Sequence, residues 1–137
     1  MIIDASVAVD AVTDPGARGQ VARTAIADIA PPEKLTAPGH FAIEVLSALV
    51  AIAGRPAVGF VEDDIPLALD TLSRLGIEIE ATPWPDVRRA WELSRGSVRY
   101  SDALYLAAAE RTNALLLTSD GRLARSGADV ACQIRTL

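Results

Sequence analysis

The chain has one cysteine, one histidine and one lysine in 137 residues. Cys132 alone excludes an internal disulfide and cannot build a thiolate zinc site, and His40 is the sole imidazole, so any metal here must be held by oxygen. Long apolar runs are missing too. The longest, VLSALVAIA after Glu44, falls well short of the roughly 20 residues that cross a membrane. There is no basic leader with a cleavage site, and the expectation is a cytoplasmic protein that does not engage a membrane. Internal repeats, low-complexity tracts and convincing domain boundaries are also absent, and 50% apolar with 23% charged residues suits neither a disordered nor a fibrous chain. One compact domain over residues 1–137 is expected.

What is present is acidic and arginine-rich. The net charge is −5, yet twelve arginines stand against Lys34 alone. An acidic total argues against a general nucleic-acid coat but says nothing of local patches. Arg88, Arg89, Arg95 and Arg99 lie within a dozen residues ahead of Asp102, and read either as a solvated helix face or as a rim facing phosphate.

Periodicity gives short apolar runs separated by helical segments. Ile2–Ile3 begins a strand. A helix is expected over 15–29, ended by Pro31 and Pro32, then a strand at 35–37 and a helix in HFAIEVLSALVAIAG that stops at Gly54. After a connection over 54–66 come a helix near 64–75 opened by Glu62, Asp63 and Asp64, the strand IEIEAT, and a helix over 85–94. Ser101 is the expected N-cap of DALYLAAAERT. A strand over 114–118, a short helix after Asp120 and a last strand over 130–134 complete the series. Strands alternating with helices, apolar enough to be covered on both faces, imply a parallel sheet wrapped by helices. Sites in such sheets form beyond the carboxyl ends of the strands, so Asp4–Ser6 and Thr118–Asp120 should share one edge.

Four acids sit in places where a solvated acid would not be chosen. Asp4 follows a strand of two isoleucines and either caps a following helix or serves a site. Glu44 lies in a helix of Phe, Ala, Leu, Val and Ile, near the border of its apolar face, and needs a partner such as His40, solvent or an ion. Asp102 stands in the first turn of an Ala/Leu-rich helix, where the dipole alone favours an acid. Asp120, in LLLTSDGRL, has an equally simple role as a cap or turn residue. Together they can converge over one sheet edge. Two like charges 4 Å apart repel by about 4 kcal/mol at an effective dielectric of 20, so such a cluster should hold raised pKa values unless a cation sits within it. Oxygen ligands of this kind select Mg²⁺ or Mn²⁺, and the chemistry suggested is metal-assisted phosphoester hydrolysis.

At these residues the chain resembles the PIN-domain ribonucleases. The shared features are Asp-x-Ser at a first strand end (Asp4, Ser6), a Glu in an apolar helix (Glu44 in AIEVLSAL), the helix start SDALYLAAAE with Asp102, and a strand ending Thr-x-Asp (Thr118, Asp120). In length and in its helices between Arg55 and Leu75 it is most similar to the VapC-type toxin branch. The resemblance implies an α/β/α sandwich with a central parallel sheet of about five strands. It also implies cleavage of RNA with Mg²⁺ or Mn²⁺, a small antitoxin covering the site, and a homodimer. Residue by residue, it gives Asp4, Glu44 and Asp102 as acids that hold the metal directly or through water, Asp120 as the most variable fourth acid, and Ser6 and Thr118 as supporting hydroxyls. Arg95 and Arg99 become candidate RNA contacts. Ser47 stands where family members often carry Asn, His40 receives no catalytic role, and Trp84 and Trp91, seven residues apart, are assigned to core or dimer packing rather than base stacking.

Other functions stay open at this point. A PIN-type RNA-processing nuclease without an antitoxin is one, and an inactive PIN domain kept for binding is disfavoured by its complete set of acids. A phosphohydrolase with Asp4 as covalent nucleophile usually wants a second Asp two residues on, where Ser6 stands. A metal-dependent protein-binding module expects a further Ser at the position of Ala8.

Overall fold

The computed structural model describes residues 1–55 and 59–137, so positions 56–58 of the expected 54–66 connection lie outside the described residues. Among the described residues five strands make one parallel sheet: β1 (Ile2–Ile3), β2 (Thr36–Pro38), β3 (Glu78–Glu80), β4 (Leu116–Thr118) and β5 (Ile134–Thr136), in the order β3-β2-β1-β4-β5. The first strand is therefore the central one. Neighbouring residues of a strand point to opposite faces, and Ile2 and Ile3 are both buried, so both faces of the sheet are covered.

Seven α-helices among the described residues supply the cover: α1 (Ala5–Thr13), α2 (Ala17–Ala27), α3 (Phe41–Ala53), α4 (Ile65–Ser73), α5 (Trp84–Ser94), α6 (Tyr100–Thr112) and α7 (Gly121–Ala124). Helix α1 packs on α2, α3 and α4, while α6 lies on β1, β2 and β4 and carries α5. The expected α/β/α sandwich with about five parallel strands is the observed fold. The Glu62–Asp64 run forms a short 3₁₀ turn leading into α4, and Asp64 accepts the Val61 N–H at 2.9 Å.

Several boundaries differ from the sequence reading. Ser101 is not the N-cap of α6. The extended backbone at Arg99 (φ −67, ψ 146) and the 2.8 Å bond from Ala103 N–H to the Arg99 carbonyl start the helix earlier, so Ser101 and Asp102 both sit inside the first turn. The last strand lies at 134–136 instead of 130–134, because its register is set by β4, with Ile134 beside Leu116 and Thr136 beside Thr118. Helix α2 is shorter than 15–29 at both ends. Trp84 and Trp91 are not core residues, being 83% and 61% exposed on α5.

Candidate active site

The sheet register places the first acid. Ile2 and Ile3 pair with Leu116 and Leu117, and the Asp4 N–H donates to the Leu117 carbonyl at 2.9 Å, so Asp4 leaves β1 level with Thr118. Its carboxylate has two duties. Oδ1 accepts the Ser6 N–H at 3.1 Å, capping α1 as an N-cap Asp should. Oδ2 accepts the Ser6 hydroxyl at 2.9 Å and also the Thr118 hydroxyl. Ser119 N–H donates to Ser6 Oγ at 3.0 Å and Asp120 N–H to Thr118 Oγ1 at 3.0 Å, locking the two strand ends together.

Among the described residues Asp4 is one of three buried aspartates, and it differs from the others in one respect. Asp10 is gripped by Arg18, whose Nε and Nη2 donate at 2.7–2.9 Å, and Asp86 is gripped by Arg111 Nε at 2.9 and 3.1 Å. Among the described residues Asp4 has only hydroxyls and an amide as partners. Burial pushes its pKa up, the donors from Thr118 and Ser6 pull it back, and Glu44 adds a smaller upward push.

The other acids lie around it. Asp102, half-buried in the first turn of α6, is pushed up to about 6, first by burial and then by the charges of Asp4 and Glu44, with Arg99 opposing. Glu44, in the first turn of α3, accepts the Tyr105 hydroxyl at 2.8 Å and lies 3.5 Å from His40 Nε2. Asp120 caps the short α7 and is paired by Arg122, whose Nη2 donates at 2.7 Å and backbone N–H at 2.8 Å; that pair holds its pKa below the usual carboxylate range. Two parts of the sequence reading are corrected here. The upward push on Asp4 and Asp102 comes from desolvation before mutual repulsion, and Asp120 moves the other way.

A cavity of about 90 Å³ brings Asp102 and Asp120 together with Arg99, Arg122 and Ser97. The arginine run ahead of Asp102 divides. Arg99 reaches this cavity, but Arg95 does not line it and lies over the Trp91 ring at 5.5 Å. Arg89 is structural, donating to Glu110 at 2.8 and 3.0 Å across α5 and α6, and Arg88 pairs with Glu92 at 3.4 Å. Ser47 is exposed on α3. Tyr105 and Arg122 are site neighbours that sequence reasoning missed. A tyrosine inside an Ala/Leu-rich helix three residues after an acid, and an arginine two residues after Asp120, were the available signals.

Among the described residues no three His, Cys, Asp or Glu side chains stand close enough to hold an ion by themselves. Mg²⁺ commonly takes only one or two carboxylates and completes its shell with water and substrate oxygens. An all-oxygen site built on Asp4 and Asp102, with raised pKa values and no cation on Asp4, fits such an ion and does not fit a closed protein cage.

The Asp102 shift carries a pH prediction. Below the ordinary value of 3.8 the group is protonated in both folded and unfolded chains and contributes nothing. As pH rises from there to about 6 the unfolded chain releases the proton and the folded chain keeps it, so stability falls through this window and stays lowered above it. A ¹³C carboxylate titration of the metal-free protein should give a midpoint near 6 for Asp102; an ordinary value there would contradict the cluster.

Comparison with known proteins places this arrangement. The family model of the PIN domain matches residues 1–128. Ribonuclease VapC3 of Mycobacterium tuberculosis is 34% identical, with 92% of this chain and 86% of that protein covered. Among solved structures, VapBC2 of Rickettsia felis bound to a promoter DNA fragment superposes with a TM-score of 0.71 at 13% identity, covering 98% of this chain and 96% of that one. M. tuberculosis VapC20, a sarcin-ricin loop cleaving toxin, gives 0.68 at 18% identity, covering 93% and 95%. The chain belongs to the PIN-domain family, in its VapC branch. Among the described residues no helix is long and apolar enough to cross a membrane.

Proposed function

We propose that this chain, acting as one domain over residues 1–137, is a cytoplasmic endoribonuclease dependent on Mg²⁺ or Mn²⁺ and the toxin of a toxin–antitoxin pair. The observation that carries the reading is Asp4: a buried carboxylate at the carboxyl edge of the central strand, without the arginine that Asp10 and Asp86 have, beside an Asp102 whose pKa is pushed up to about 6. The VapC3 relative is a ribonuclease by name, and a toxin–antitoxin complex from Klebsiella pneumoniae shares the fold with a TM-score of 0.63 at 17% identity, which supports the substrate class and the antitoxin partner. A homodimer is expected with them.

Asp4 and Asp102 would hold the ion, with Glu44 and Asp120 acting through water. When bound, the metal supplies an activated water and neutralises charge on the scissile phosphate. The protein's own residues fix the ligands. Ser6 and Thr118 orient Asp4 by donating to Oδ2. Arg99, exposed at the rim of the cavity with Asp102, is placed to meet a backbone phosphate; Arg95 is exposed away from that cavity and would meet RNA only at a distance. Covalent catalysis by Asp4 is disfavoured, because Ser6 stands where such an enzyme usually carries its second Asp.

Purified protein with Mg²⁺ or Mn²⁺ should cut structured RNA and stop when EDTA is added, and Asp102→Asn should lose the activity. An Asp102→Asn variant that cuts as fast as the parent would refute the assignment.

A further inference from the structure

We propose that Tyr105, with His40 behind it, is a positioning residue that commits one oxygen of Glu44 and leaves the other as its only free ligand atom. Tyr105 is fully buried on α6 and its hydroxyl donates to Glu44 Oε2 at 2.8 Å. Among the described residues Oε1 receives no hydrogen bond. Glu44 therefore meets an ion or its water through one oxygen of fixed direction, not as a freely rotating bidentate carboxylate. The reading rests on the metal-dependent function above.

His40 packs beside this pair and approaches the same Glu44 oxygen. Its ring lies against Tyr105, centroids 4.7 Å apart and tilted by 56°. Nε2 is 3.1 Å from the Ser101 carbonyl and 3.5 Å from Glu44 Oε2, while Nδ1 is buried without a partner among the described residues. Two acceptors at Nε2 and none at Nδ1 place the proton on Nε2 of a neutral imidazole, which donates to Ser101. Ser101 directly precedes Asp102. The first turns of α3 and α6 are thus tied together beside the two acids they carry, and Glu44's charge is felt at both Asp4 and Asp102.

A satisfied core tyrosine would look similar, and the test separates the two. Tyr105→Phe keeps the ring and its packing and removes only the donor. Groups that orient a ligand typically contribute about 10–100-fold in metal affinity. Calorimetric titration with Mn²⁺ should show a loss of that size in Tyr105→Phe, with no further loss when the change is made in a Glu44→Gln background. RNA cleavage by Tyr105→Phe should recover as Mn²⁺ is raised. Unchanged Mn²⁺ affinity in Tyr105→Phe, an additive loss in the double variant, or a parent protein that binds no Mn²⁺ overturns the proposal. A parent that binds Mn²⁺ but cuts no RNA overturns the nuclease reading alone.

Discussion

Asp4→Asn should reduce RNA cleavage by about 10³-fold or more, equivalent to about 4 kcal/mol of barrier, while leaving the metal-free protein as stable as its parent or more so. The two halves have one cause. Asp4 is a buried carboxylate whose pKa is raised by desolvation, so at neutral pH its charge works against the metal-free fold. Asparagine keeps the cap of α1, since Asn and Asp serve equally at an N-cap. The Ser6 and Thr118 hydroxyls can rotate to meet an amide in place of a carboxylate. What is lost is the negative charge that would hold a cation. Single-turnover cleavage at saturating Mn²⁺ and thermal melting in EDTA check the two halves separately. Cleavage within tenfold of the parent would remove Asp4 from the chemistry, and an inactive protein with a sharply lower melting temperature would make it a structural cap.

Arg111→Ala should produce the largest stability loss expected outside the hydrophobic core. Asp86 sits in the first turn of α5 with its side chain only 4% exposed, and Arg111 on α6 is its ionic partner through Nε. Removing one member of such a pair leaves an uncompensated buried charge, typically at a cost of about 3–5 kcal/mol. Arg111 itself is partly exposed and water can enter when it is cut back, so the lower end of that range is expected. Urea unfolding measures it. Asp86→Asn added to Arg111→Ala should restore much of the loss, and equal stability of parent and single variant would show that the pair contributes little. Cleavage per folded molecule should not change, because neither residue lies at the cluster of Asp4 and Asp102.

The same contrast explains what was legible in the sequence. The alternation of strands and helices and the order of the four acids were readable because apolar periodicity and strand ends are local signals. The register that puts Asp4 level with Thr118 is not local, but it follows once the strands are parallel and share an edge. Other features needed coordinates. Whether an acid has an arginine depends on side-chain reach: Asp120 meets Arg122 two residues on, Asp10 meets Arg18 across the α1–α2 corner, and Asp4 meets none among the described residues. Ser101 looked like a cap by residue type, yet the backbone at Arg99 turned first. Trp84 and Trp91 share a helical face as expected, but α5 turns that face to solvent and buries Asp86, Ala90 and Leu93 instead.

The central place of β1 also sets when the site can exist. Asp4 leaves a ribosome 114 positions ahead of its partner Thr118. At roughly 5–20 residues per second of synthesis, several seconds separate the two. Until β4 pairs with β1, the first strand has only β2 as a neighbour, and the carboxylate has neither its Thr118 hydroxyl nor Asp120 nearby. Most of the chain must be made before Asp4 finds its setting, so a nascent chain carries the acid without the machinery around it.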